Sequence, residues 1–165
     1  DYSAAKLSEE VIPPDSGDEE FLQELRKLDE HMCRKSDYDE YEELYQDVTK
    51  LAMKRFDLWL EVKKAPEKMR PLWGCLEIYM SFVYAYGHAE SLKDVSRTEL
   101  EEFFFGHLLR KMSAEPDEYA EWPAAIKFFY QFLHEKGYIA DPREIVGAIN
   151  QIEPFFIKVL KKRFG

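Results

Sequence analysis

The stretch LWGCLEIYMSFVYAY, Leu72 to Tyr86, constrains the fold more than any other part of this chain. Glu77 is its single charged residue. Wound into a helix, it is apolar on nearly every face, so it has no wet side and needs other elements all around it. It is also short of the roughly 20 apolar residues that cross a bilayer. A central core helix is the remaining role. Such a helix needs amphipathic neighbours, and the rest of the chain is read for them.

Residues 1–17 contain Pro13-Pro14, Ser16-Gly17 and several acids, and read as a flexible lead-in. Ser16 and Glu19 have capping-box spacing and predict a helix to about Arg34, with Phe21, Leu25, Leu28 and Met32 as its stripe. Ser36 is placed to cap a second helix to about Lys64. Its stripe is Tyr38, Tyr41, Tyr45, Val48, Ala52, Phe56, Trp59 and Val62, and its other face is charged. Pro66 and Pro71 bracket a break before the apolar helix, and Gly87 suits the left-handed residue that closes it. Ser96 and Glu99 form another capping box, opening a helix that buries Leu100, Phe103, Phe104, Leu108 and Leu109. A further helix starts within Ser113 to Pro116. Pro123 should kink or split it, because it lacks an amide and crowds the carbonyl of Tyr119. The part after Pro123 carries Ile126, Phe129, Tyr130 and Leu133 and stops at Gly137. Asp141, Pro142 and Glu144 open the last helix, with Ile145, Ile149, Ile152, Phe156, Val159 and Leu160 as its stripe and a bend expected at Pro154. The reading is all-α: a compact bundle of six or seven helices, with no strand and no internal repeat. Residues 18–165 form one helical domain, made of an N-terminal extension (18–66), a core (67–142) and a C-terminal helix (143–165).

Charge narrows the function classes. The formal net charge is −10, spread unevenly: −8 over residues 1–66, −4 over 67–140 and +2 over 141–165. Most of such a surface repels phosphate backbones, so nucleic acid is not an expected partner. Hydrophobic residues at 45% and aromatics at 15% are enough for a folded core rather than a disordered chain. Cys33 and Cys75 lie far apart in predicted helices, which argues for reduced thiols in a cytoplasmic protein and against a disulfide framework. No signal peptide opens the sequence, and its first residue is Asp1, as expected of a fragment or processed piece.

No catalytic pattern stands out. His31 and Cys33 are two apart and point about 200° apart on a helix, so they cannot share a metal without help from elsewhere. C-x-x-C, H-E-x-x-H and Glu-x-x-His pairs are absent, as are nucleophile elbows and glycine-rich phosphate loops. No metal or cofactor is expected. His107 and His134 read as helix-surface or edge residues. Asp37, Asp39, Glu40, Glu42, Glu43 and Asp47 sit on a wet helix face, where carboxylates are simply solvated. Phe105, Phe128 and Phe132 fall off the main stripes and are the candidate partner interface. Lys161, Lys162 and Arg163 close the chain's one basic run, either as helix C-terminal cations or, with Arg110 and Lys111, as candidate nucleic-acid contacts.

Two phrases carry a resemblance. One is Ser91-Leu92-Lys93-Asp94-Val95-Ser96-Arg97-Thr98-Glu99-Leu100-Glu101-Glu102-Phe103. The other runs from Ala125 through Phe129 and Leu133 to Lys136-Gly137-Tyr138-Ile139 and Asp141-Pro142. Together, residues 72–142 resemble the core-binding, SAM-like helical domain of tyrosine recombinases (phage integrases). Leu109 to Ser113 is similar to uncharacterised bacterial proteins with the same helical domain, some bearing a separate metal-binding SEC-C tail. The resemblance implies a SAM-like core and, in the family, a grip on DNA. The family's catalytic domain, with its arginines, histidine and tyrosine nucleophile, does not fit in the 23 residues after Pro142. The reading is therefore a non-catalytic helical interaction or scaffold domain, with another protein or an adjacent domain as partner and self-association possible. The alternative is a DNA-binding domain of recombinase type. An enzyme with an unrecognised site comes third.

Overall fold

The computed structural model describes residues 10–67, 73–111 and 119–164. Six helices and no strand occur among them. They are α1 (Ser16–Cys33), α2 (Tyr38–Val62), α3 (α-helical over Trp73–Met80, then π-helical over Ser81–Ala85), α4 (Arg97–Glu102, π-helical Phe103–His107, then Leu108–Lys111), α5 (Trp122–Glu135) and α6 (Arg143–Phe164). A 3-10 turn, Leu92–Asp94, leads into α4. The helix start expected within 113–116 lies outside the described residues, as do residues 1–9 and Leu72.

The caps follow the sequence closely, with shifts that have local causes. Helix α1 opens on a capping box one residue early. Asp15 accepts from the Asp18 amide at 2.8 Å, and Asp18 accepts from the Asp15 amide at 3.2 Å. Aspartate caps as well as serine does, and it displaces Ser16 into the first turn. Ser36 does not cap α2. Asp37 takes that position without a side-chain bond, and the Ser36 hydroxyl meets His31 Nδ1 at 3.1 Å. The Ser96–Glu99 box forms as expected. Gly87 and Gly137 adopt left-handed backbone, at φ 66° and 88°. The chain turns at Ala120 and Glu121 and restarts at Trp122, so Pro123 sits in a first turn, where its missing amide costs nothing. Asp141 caps through the Arg143 amide at 3.0 Å and pairs with that guanidinium at 2.7 Å. This holds its carboxyl down at about 2. Helix α6 continues through Pro154.

The expected core helix is buried at Cys75, Leu76, Tyr79, Met80, Phe82, Val83 and Tyr84. The more enclosed helix, however, is α5, where every residue from Trp122 to Tyr130 is buried, and then Phe132 and Leu133. Phe129 and Phe132 meet Phe56 of α2 at 5.3 and 5.7 Å between ring centres, and Phe132 reaches Phe21 of α1 at 6.1 Å. Tyr130 meets Tyr79 of α3, their hydroxyls 2.6 Å apart. On the remaining side Lys127 donates to Asn150 of α6 at 2.8 Å and pairs with Glu153 at 3.3 Å. The Lys127 side chain is 1% exposed. A lysine tolerates this only because both partners are aimed at it. Val62, assigned to the α2 stripe, is instead 60% exposed, and Leu60 is buried in its place.

A polar web ties the 3-10 turn to three helices. Tyr84 and Tyr138 each donate to Asp29 at 2.6 Å. The Leu92 amide donates to the Tyr84 hydroxyl at 3.1 Å, and Tyr130 donates to the Leu92 carbonyl at 2.7 Å. Burial raises the Asp29 carboxyl above its ordinary value in spite of the two hydroxyl donors. Residues 10–15, expected to belong to a flexible lead-in, lie against the bundle: Ile12 packs on the core, and its carbonyl accepts from Lys136 at 3.1 Å.

Candidate functional site

Of the three phenylalanines expected to face a partner, Phe128 and Phe132 are 0% exposed. They fell off the α5 stripe because that helix has no single stripe: its whole circumference is packed. Phe105 is partly buried, its ring 6.4 Å from that of Phe156. The expected aromatic patch does not form.

The basic candidates are placed differently from one another. Lys111 donates to the Tyr86 hydroxyl at 2.9 Å and lies over its ring at 5.2 Å. Arg110, Lys161, Lys162 and Arg163 are all exposed, the last three in the final turn of α6. Arg97 at the start of α4 meets Gln151, and Phe104 further along meets Phe156 at 5.2 Å. Helices α4 and α6 thus run in the same sense, so their basic last turns face the same end of the molecule. Each cluster also sits at a helix C-terminus, where the dipole favours cations.

A groove of about 550 Å³ runs along α2. Tyr45, Thr49, Met53 and Leu58 line it, Lys50 and Lys54 flank it, and Asp57 and Glu77 complete its wall. Its shape follows from the two helices beneath it. Helix α2 turns Val48, Ala52, Phe56 and Trp59 inward. Its leucines 44, 51 and 58 recur every seven residues off that stripe, and Leu58 ends up 41% exposed. Leu44 and Leu51 pack against the core, and the groove face is carried by Tyr45, Thr49 and Met53, four residues apart. The groove offers no nucleophile and no shielded pair of carboxylates. It can accept apolar side chains beside the charged residues that edge it.

A second cleft of about 600 Å³ is polar and gathers His88, Glu90, Asp94 and Glu99 around Ser36 and Tyr41. Three of these groups are already occupied. Glu99 accepts from the Ser96 amide at 2.7 Å, and Asp94 accepts from Ser91 at 2.8 Å. His88 stacks on Phe82 at 4.4 Å with Glu102 3.8 Å from its Nδ1. Among the described residues no group of three His, Cys, Asp or Glu side chains could hold a metal.

His107 is not the surface residue expected from its sequence. It is 2% exposed, lies in the π-helical turn of α4, and is ringed by Phe82, Tyr86 and Phe103. The wider π turn is what brings Phe103, Phe104 and His107 inward together. Its Nε2 is buried without a hydrogen-bond partner. Burial first, then the Lys111, Arg110 and His88 charges, lower its pKa to about 4. It is neutral at neutral pH, but nothing near it accepts or presents a substrate proton. His134 is ordinary: exposed, with Nδ1 donating to the Ile139 carbonyl at 3.0 Å. Both cysteines are free, Cys33 exposed and Cys75 buried, and burial pushes the Cys75 thiol well up.

No family model, curated protein sequence or solved structure matches this chain. No helix among the described residues is long and apolar enough to cross a membrane.

Proposed function

We propose that this chain is a non-catalytic helical interaction module, whose partner lays an amphipathic helix in the groove along α2. One observation carries the reading: an apolar groove edged by Lys50, Lys54 and Glu77 lies open along α2, while the aromatic residues of α5 are spent inside the core. A partner helix with apolar residues at three- and four-residue spacing would fill it, with acids toward Lys50 and Lys54 and a base toward Glu77. The partner belongs to another protein or an adjacent domain. The test uses 8-anilinonaphthalene-1-sulfonate as an apolar probe with methyl NMR. The expected result is saturable shifts at Met53 and Leu58, lost in Met53→Glu. Binding at other methyls, or equal binding to the variant, rejects the groove.

A second reading keeps the SAM-like resemblance of residues 67–142 together with its DNA grip. The parallel run of α4 and α6, which points Arg110, Lys111, Lys161, Lys162 and Arg163 to one end, favours it. The net charge of −10 opposes it. Duplex titration by anisotropy at about 0.15 M salt is expected to give nothing tighter than the roughly 10⁻⁴ M end of non-specific affinity. Micromolar binding, abolished by Arg110→Glu with Lys111→Glu, would reverse the order of the two readings.

A further inference from the structure

Residues 10–15 read Glu-Val-Ile-Pro-Pro-Asp. The two prolines fix φ, lack amides and hold the residue before them extended, so the segment cannot join α1 as a helical turn. It runs instead across the paired C-terminal ends of α2 and α5, whose C-cap residues are Lys63 and Lys136. Both ammonium groups sit where the helix dipoles favour a cation.

The contacts read the main chain. Lys63 Nζ donates to the Glu10 carbonyl. Lys136 Nζ donates to the Ile12 carbonyl at 3.1 Å, and the Ile12 amide donates to Glu135 Oε1 at 3.4 Å. Val11 is 65% exposed, and Ile12 packs on the core. At the far end Arg55 NH2 lies 2.5 Å from the Asp15 carboxylate. The groups beneath are buried ions. Lys63 pairs with Glu135 at 3.0 Å, Lys136 with Asp18 at 3.0 Å and Arg55 with Asp18 at 2.9 Å. The two lysines, Glu135 and Asp18 are each 3–4% exposed at the side chain.

Buried ion pairs are poor devices for stability, because apolar residues of the same size do as well or better. They are good devices for recognition. Each ammonium has three donors, so one taken by a carboxylate leaves others to aim at a carbonyl. A polyproline-type segment suits such a site, because it arrives already extended and loses little freedom on binding.

We propose that the surface formed by Arg55, Lys63, Glu135 and Lys136 is a peptide-binding site for an extended apolar-Pro-Pro-acid segment of another protein, and that residues 10–15 occupy it in cis. This stands apart from the α2 groove and does not rest on it. The chain's own segment acts as a built-in competitor with the high effective concentration of a short tether. Trans binding therefore grows when the cis segment loses its apolar anchor.

The test uses the full chain and a fluorescein-labelled peptide of residues 8–15. Ile12→Asp removes the cis anchor and leaves the site untouched. The peptide is expected to bind this variant roughly tenfold or more tighter than wild type, since the tethered competitor is weakened. Adding Lys136→Met should abolish that binding. A folded Ile12→Asp protein that binds the peptide no better than wild type overturns the proposal, as does binding that survives Lys136→Met. If Ile12→Asp fails to fold, hydrogen exchange of the wild-type Ile12 amide decides. Exchange far faster than the α5 core amides supports a segment that lifts, and exchange at the core rate rules it out.

Discussion

Acidification should weaken this fold through His107 in a way that a single substitution can isolate. The imidazole is enclosed by Phe82, Tyr86 and Phe103 and faces the positive charges of Arg110 and Lys111. Its pKa falls from 6.5 to about 4 on folding, so between those values the unfolded chain binds the proton and the folded chain refuses it. Stability is therefore full above about pH 6.5, declines as pH falls and levels off below about pH 4. Between pH 7 and pH 5 the loss is about 2 kcal/mol, and the full shift corresponds to about 3 kcal/mol. Asp29 acts in the opposite direction, because its raised pKa makes the folded state favour the protonated carboxyl. The comparison must therefore be with His107→Phe, which keeps the ring, removes the titration and leaves Asp29 in both proteins. Urea unfolding at a series of pH values is expected to show wild type losing about 2 kcal/mol more than the variant on going to pH 5. At neutral pH the variant should be as stable or more so, because an unsatisfied buried nitrogen has gone. Parallel stability curves for the two proteins would refute the reasoning.

Other expectations follow from the same packing. Asp18→Ala leaves Lys136 and Arg55 without their shared carboxylate and should cost about 3–5 kcal/mol in urea unfolding. Tyr84→Phe removes a donor to Asp29 and the acceptor of the Leu92 amide, for a loss of about 1–3 kcal/mol by the same measurement. Phe132→Ala opens a hole where α1, α2 and α5 meet and should cost about 3–5 kcal/mol, whereas Phe155→Ala, at a ring 59% exposed, should fall within about 0.5 kcal/mol of wild type. Gly87→Ala forces a Cβ into left-handed backbone and should lower stability by about 1–2 kcal/mol in thermal melts.

Local rules carried the sequence reading a long way. Ser96–Glu99, Gly87 and Gly137 were legible because a cap or a left-handed turn needs particular residues at particular spacing. The ends of α1 and α2 fall within two residues of the expected Arg34 and Lys64. Lys35 and Lys64 adopt positive φ there, at 56° and 60°, so no glycine announces either turn. The face of α5 was misread for a different reason. Periodicity separates wet from dry only when polar residues are wet, and Lys127 is dry because two side chains on a helix some twenty residues later are waiting for it. The two π turns were likewise invisible, since a three- and four-residue count assumes the α pitch throughout, and His107 left the surface as a result. The site under residues 10–15 joins groups from positions 55, 63, 135 and 136, which only the tertiary fold makes neighbours. The groove along α2 was within reach, because Thr49 and Met53 follow Tyr45 at four-residue steps.

Helix α5 has consequences for how the molecule is made. Synthesis delivers α1 to α4 first, and the surfaces that they turn toward α5 include Phe21, Phe56, Trp59 and Tyr79. Until Trp122 to Leu133 leaves the ribosome, these rings lack their α5 neighbours, although Tyr79 already has Phe103 of α4. A nascent chain of this kind gains little by folding early, and its aromatic surface is open to any chaperone that holds apolar segments. A chain ended at residue 121 is expected to keep much of its far-UV helical signal, lose near-UV ellipticity and bind 8-anilinonaphthalene-1-sulfonate strongly, as a collapsed state without fixed packing does. Restoring native near-UV ellipticity by adding a separate peptide of residues 119–164 would mark α5 as the piece that turns a loose assembly into one structure.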